Sequence, residues 1–435
     1  MRPLSLISLG NAHVRAGQFA QGIRQVVLIS LALWLPRSGI GLEAIGWWEQ
    51  MQYLGFLLGF SWLAGLEQAY LVKLRNKDKE AADRFTGQAF TVIAGISISI
   101  LLIGWLAAGP LLQVLTGDAE LPGWPFYLCF LAAHWPGLFT EKVLLARSRP
   151  RQLLIYSILT NLALLLAIVV PLSAGYDFAV AIRWLVPVAL LKVILSFSFL
   201  RSSVVFPSLD FIDLKPWLTL ASPLILYSAL NSVNYSFDAW FVNFWFEGDG
   251  DTFALFRYGT RELPLLAAAT GGIVQATLPM LGDRQGLKQL KQSSLRLMHL
   301  FYPGEALLML SSPWWWTLVF TERFADSLPL FQLFLLIGIS RMLFPIPILT
   351  SRGLERQLLW IGLIEIAINA VLSFILVQQL GLIGIVWATV ITYLLDKFIA
   401  IWWVWSSRRI PLHAYCAWRW WLGYSVALLG VYVIS

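Results

Sequence analysis

Charge is scarce in this chain. Only 13% of its 435 residues are Asp, Glu, Lys or Arg, about half the share usual in a soluble domain. That excludes a molecule faced by water on most sides. Cysteine is scarcer still. Cys129 and Cys416, both in apolar surroundings, exclude a disulfide framework and a cysteine metal site. The four His, at 13, 134, 299 and 413, lie in different segments, so no metal, catalytic or cofactor constellation is expected. His134, beside Pro136-Gly137, reads as a packed polar residue. No Gly-rich phosphate loop follows a strand, because no strand is expected, which excludes an ATP-driven pump. The N-terminus, MRPLSLISLGNAHVRAGQ, lacks the apolar core and cleavage site of a signal peptide. Residues 3–15 read as a short amphipathic segment on the membrane surface.

Apolar residues are abundant. They make up 58% of the chain, the mean hydropathy is +0.72, and there are 22 Trp. Runs of about 20 apolar residues, enough to span a bilayer core, recur along the whole length. Thirteen segments are predicted: 17–36, 46–72, 86–108, 124–146, 152–174, 178–200, 217–246, 253–281, 295–319, 326–350, 355–377, 382–405 and 415–434. Each must be helical, since lipid offers no partner to free backbone groups. Trp pairs and triplets at the expected helix ends fit the bilayer interface.

Lys and Arg set the orientation. With the N-terminus inside, the inner segments 1–16, 72–84, 142–151, 201–216, 282–296, 350–357 and 406–413 hold 21 of the 31 basic residues. The outer loops hold Arg37, Arg183 and Arg323. The net charge of +7 is therefore a topology signal, and no nucleic-acid partner is implied. This places a multi-pass protein in the cytoplasmic (inner) membrane with its N-terminus in the cytoplasm. The last segment either crosses the membrane or lies along its surface. No outer loop is long enough to fold alone; the longest lies near 106–123.

A shift of 205 positions brings Asp78 onto Asp283, Arg147 onto Arg352, RQLL 151–154 onto RQLL 356–359 and Lys192 onto Lys397. Six helices separate the copies, so both halves share one orientation. Such repeats place transport sites between the halves. The expected fold is all-α, with two six-helix bundles in pseudo-twofold parallel repeat. The lobes are 1–205 and 206–410, followed by an additional hydrophobic helix at 411–435.

Several stretches carry a resemblance: SPLILYSALNSVNYSFDAWFVNFWF, the proline-bearing RELPLL, LGDRQGLKQLKQSSLR, LVFTERFADSLPLFQLFLL, TSRGLERQ, LGLIGIVWATVITYLL and, in the first half, GLEAIGWWEQMQYLGFLLGF. Over nearly its whole length the chain resembles the polysaccharide flippases of the MOP superfamily, the O-antigen or Wzx type. The resemblance rests on a pattern of helices and loops more than on a rigid motif. It implies two six-helix bundles around a cavity that opens alternately to each side. It also implies a lipid-linked oligosaccharide, on a polyprenyl diphosphate, moved to the outer leaflet. Glycosyltransferases or a glycan polymerase are the expected partners.

Charges at bilayer depth pick out the candidate site. An Arg at the membrane centre costs about 2.5–3.5 kcal/mol on insertion scales, so it must meet protein or water. Arg261 lies about 14 Å into its segment at 1.5 Å per residue. Arg257 stands one turn earlier on the same face, Gln275 returns to that face, and Pro264 is expected to bend the helix. Tyr227, Asn231, Asn234 and Asp238, spaced 4, 3 and 4, form a polar stripe on the preceding helix, with an Asp238–Arg257 pair expected. Arg24 stands in the first helix. Substrate binding is assigned to Arg24, Asn231, Asn234, Asp238, Arg257, Arg261 and Gln275, because guanidinium forks suit phosphate. The competing reading has Arg257 and Arg261 pairing with Asp238 and Glu262 to pin two helices together. Glu305, Glu365 and Arg341 are candidates for ion coupling. Lys192 and Lys397 read as snorkelling or capping residues, and Glu67 and Glu141 as partners of neighbouring cations. The alternative function is a cation-coupled small-molecule exporter of the related MATE type. A membrane glycosyl polymerase is disfavoured by the absence of a large outer loop.

Overall fold

The computed structural model describes residues 4–74, 77–201 and 211–435, and side chains from residue 16 onward apart from 211–213, 279 and 355. The expected amphipathic side chains at 3–15 and most of the inner connection at 201–216 lie outside the described residues.

Every regular element among the described residues is helical. In order they are α1 (Leu4–Trp34), α2 (Leu42–Leu74), α3 (Lys79–Leu106), α4 (Ala108–Thr116), α5 (Trp124–Ala146), α6 (Pro150–Ser173), α7 (Phe178–Arg183), α8 (Leu185–Leu200) and α9 (Phe211–Trp245). Then come α10 (Gly250–Gly259), α11 (Pro264–Thr277), α12 (Arg284–Phe320), α13 (Leu328–Phe334), α14 (Ile337–Arg341), α15 (Pro345–Ser351), α16 (Glu355–Leu380), α17 (Leu382–Arg408), α18 (Leu412–Tyr415) and α19 (Trp418–Ile434). Seven spans among the described residues are long and apolar enough to cross a membrane. The protein is a multi-pass membrane protein.

Three expectations change. The segment expected at 326–350 is three short helices, α13, α14 and α15. Pro345 cannot continue the preceding turn and restricts Phe344, which sits at φ −120°, ψ 48°. The loop expected at 106–123 contains α4, whose end is closed by Gly117 in the left-handed conformation at φ 77°. The segment expected at 253–281 is not one bent helix but two, α10 and α11.

The chain divides into two compact units. The first comprises residues 1–236 and 243–251, the second 237–242 and 252–435. In the first, α5 packs against α2, α3, α6, α7 and α8. Its aromatic core joins Tyr70, Phe85, Phe139 and Trp217, with ring centroids 4.8–5.8 Å apart. In the second, α17 packs against α13, α14, α15 and α16, and α12 against α19. Trp387 meets Tyr432 and Phe398 meets Trp421, so α19 runs antiparallel to α17 over about three turns.

The paired aspartates of the repeat do one job twice. Asp78 caps α3 by accepting from the Ala81 amide at 2.8 Å, and Asp283 caps α12 by accepting from the Gly286 amide at 2.7 Å. The residues after the paired arginines match as well. Ser148 and Gly353 both take positive φ, 59° and 67°.

Candidate functional site

In the first unit the polar centre is built on α1, α2, α5 and α8. Arg24 Nη2 lies 2.6 Å from Glu141 Oε2, and Lys142 lies 3.7 Å from Glu67. Glu67 and Glu141 thus stand against neighbouring cations. Lys192 does not snorkel. It is only 4% exposed and stands over the Tyr156 ring at 5.7 Å. It sits eight residues along α8, in electrostatic reach of Arg24 and Glu141. Two carboxylates here face three cations, with His134 buried within electrostatic reach of Lys192 and Arg24. The His134 ring meets Phe130 at 5.1 Å in a tilted pair.

In the second unit the decisive feature is the interruption between α10 and α11. Pro264 has no N–H to bond the preceding turn, and Leu263 before it is extended at φ −64°, ψ 116°. Arg261 and Glu262 therefore lie in non-helical backbone. Arg257 is in the last turn of α10. The expected shared face of Arg257, Arg261 and Gln275 is lost, because the helical phase does not carry across the break. Gln275 is exposed on α11. The Arg261 guanidinium covers the Tyr258 ring at 5.1 Å. The carbonyl end of one helix and the amide end of the next meet at this gap, where helix termini leave backbone groups without intrahelical partners.

Glu262 is taken by Arg341 of α14, with Nε 3.0 Å and Nη2 3.1 Å from its two oxygens. Arg341 also lies over the Tyr393 ring at 5.4 Å. The expected Asp238–Arg257 pair is replaced. Asp238 accepts from Asn369 Nδ2 at 2.6 Å and from Thr389 Oγ1 at 2.8 Å. Ser373 donates to Asn369 at 3.3 Å. Glu365 on α16 acts electrostatically on Asp396, Lys397, Asp238 and Arg341, and Lys397 is bonded to Asp396. Four carboxylates, Asp238, Glu262, Glu365 and Asp396, thus share their surroundings with the cations Arg341 and Lys397 around Tyr393.

Asn231 and Asn234 stand half-buried on α9. Glu305 is apart from this cluster. It is 1% exposed, its two oxygens make no hydrogen bond among the described residues, and its carboxylate packs on Gly338, where a Cβ would overlap it.

Thr389, Tyr393 and Asp396 were not expected. Their spacing of 4 and 3 is the stripe signal that singles out α9, and it runs along one face of α17. Three or more His, Cys, Asp or Glu in metal-holding geometry do not occur among the described residues.

No protein-family model and no curated protein matches the sequence. Solved structures do. A lipid II flippase, MurJ, in an inward closed conformation is 14% identical with a TM-score of 0.72, covering 97% of this chain and 92% of that one. The MATE multidrug transporter DinF-BH, solved as a complex, is 17% identical with a TM-score of 0.63, covering 93% and 96%. A MOP superfamily transporter from Pyrococcus furiosus, described as having a binding pocket of reverse polarity, is 17% identical with a TM-score of 0.61, covering 90% and 94%. A helix order repeated in two halves, a broken eighth segment and likeness over nearly the full length of each neighbour together give this chain the fold of the MOP superfamily transporters.

Proposed function

We propose that the protein is a flippase. It carries a polyprenyl-diphosphate-linked oligosaccharide from the inner to the outer leaflet by alternating access through a cationic central cavity. The observation that carries this reading is the gap between α10 and α11, with Arg257 and Arg261 at its edges. Discontinuous membrane helices mark substrate sites in transporters. Two guanidiniums beside helix ends supply forked donors for a diphosphate. Asn231, Asn234 and Gln275 would meet sugar hydroxyls. The first unit's excess of cations favours an anionic cargo in the same sense. The lipid II substrate of the MurJ neighbour is of the same chemical kind, a lipid-linked glycan. On this reading the protein sits in the cytoplasmic membrane with its N-terminus inside.

The test uses proteoliposomes holding a fluorescent polyprenyl-diphosphate oligosaccharide, read by quenching of the outer leaflet. Arg257→Ala/Arg261→Ala should insert normally and lose at least about 100-fold in flipping rate, the two charge-assisted contacts being worth roughly 1.5 kcal/mol or more each. Flipping at the wild-type rate would sink the reading.

One observation favours a second reading, a cation-coupled small-molecule exporter. The polar centre of the second unit brings four carboxylates together with Arg341 and Lys397, a balance that suits a positive cargo or coupling ion. Efflux of an organic dye cation, abolished by Asp238→Asn, together with no glycan flipping, would establish it over the first.

A further inference from the structure

A cavity of about 650 Å³ opens at one end of the second unit, lined by Asp283, Arg284, Arg352, Arg408, Arg409 and His413 with small and apolar neighbours. We propose that it binds the phosphate-bearing headgroup of an anionic membrane lipid. The site is separate from the transport gap and does not depend on the transport reading.

Its walls come from three connections distant in sequence: the start of α12, the turn after α15, and the link from α17 to α18. All three belong to the side that the charge asymmetry assigns to the cytoplasm. Four guanidiniums line the cavity beside one carboxylate, and that carboxylate is already engaged as the α12 cap. None of the four forms an ion pair among the described residues. Arg352 Nη2 donates to the Leu281 carbonyl at 3.2 Å, and Arg408 Nη2 to the Arg352 carbonyl at 3.0 Å. These bonds orient the groups without neutralising them. The Arg352 Nε is buried with no partner. Arg409 is held in the left-handed region at φ 53°, its guanidinium over Trp405 at 5.4 Å. A bulky residue in that conformation carries strain that neighbouring structure must hold.

The other half of the repeat shows what this corner looks like when it is closed. Arg147, the counterpart of Arg352, is neutralised by Asp83 at 2.7 Å and bonded to Thr86 at 2.9 Å. The same shift of 205 places Lys288 and Lys291 where Asp83 and Thr86 stand. Lys291 donates to the His413 carbonyl at 2.8 Å, so it too is drawn to the rim. One backbone corner thus exists twice, once with its own anion and once with lysines at the aligned positions, of which Lys291 reaches the His413 carbonyl. The second form needs an anion from outside. Guanidinium forks match phosphate oxygens, and basic pockets at the cytoplasmic ends of membrane helices take lipid headgroups. The volume exceeds what one free phosphate fills, being room for roughly twenty waters.

The experiment uses the full chain in nanodiscs of neutral phosphatidylcholine doped with cardiolipin or phosphatidylglycerol, with retained lipid read by native mass spectrometry. Wild type should hold anionic lipid selectively. Arg284→Gln/Arg409→Gln should weaken it roughly 25-fold, about fivefold per arginine. Lys288→Asp/Lys291→Thr, which gives this corner the residues of the first, should weaken it comparably. Arg84→Gln/Arg151→Gln, exposed positions of the first unit, should leave it unchanged. Inorganic pyrophosphate separates the sources. If it displaces the lipid and shields wild-type arginines from phenylglyoxal, the site takes phosphate free or lipid-borne; if it does neither while the pocket variants lose lipid, only the lipid form binds. Unaltered lipid retention in both monodisperse pocket variants overturns the proposal.

Discussion

The two compact units solve the same problem with opposite signs. The polar centre of the first sets Arg24, Lys142 and Lys192 against Glu67 and Glu141. That of the second sets Asp238, Glu262, Glu365 and Asp396 against Arg341 and Lys397. Both sit on helices that a shift of 205 residues relates. The scaffold is repeated while the charge balance is inverted. Uncompensated charge at membrane depth is costly, so the balance at each centre limits which substitutions it tolerates.

The largest effect that would sharpen this contrast is at Arg341. Arg341→Ala takes from Glu262 its bidentate partner and removes one of the two cations from the acidic centre. It should cost about 3 kcal/mol, seen as a lower unfolding temperature in detergent. A loss under about 1 kcal/mol would mean that the acidic excess is not felt. The capping aspartates come next. Asp78→Ala and Asp283→Ala should each cost about 1 kcal/mol, and by equal amounts if the repeat is energetic as well as geometric; a clear inequality in denaturation midpoints would limit the likeness to backbone shape. The smallest effect is expected at Lys192. Lys192→Met removes a surplus cation and keeps the volume, so stability should stay within about 0.5 kcal/mol or rise, as when apolar side chains replace buried charge. A loss as large as that at Arg341 would break the idea that the first unit carries spare positive charge.

Much of the architecture was legible in the sequence because the bilayer allows so few solutions. Apolar runs had to be helices, and the aspartates at the starts of α3 and α12 were already in register. The break at Pro264 was read as a bend, since a proline alone does not say whether the surrounding helix will re-form its bonds. Glu262 finding Arg341 was not legible, because the partners lie 79 positions apart and only tertiary packing of α14 joins them. Lys192 misled for a related reason. A lysine near an expected helix end ordinarily reaches for the interface, and nothing local shows that Tyr156, 36 positions away, will cover this one. Thr389, Tyr393 and Asp396 could have been found by the spacing that revealed Asp238.

The proline-made gap has a bearing on how this protein can change over generations. Its polarity comes partly from peptide groups, which every residue except proline carries in full. Substitutions at 257, 261 or 262 alter the charge and reach of the side chains there without removing the break itself. The side chains at this point can drift while the break persists, and only replacing Pro264 with a good helix former would let the backbone close into one continuous helix.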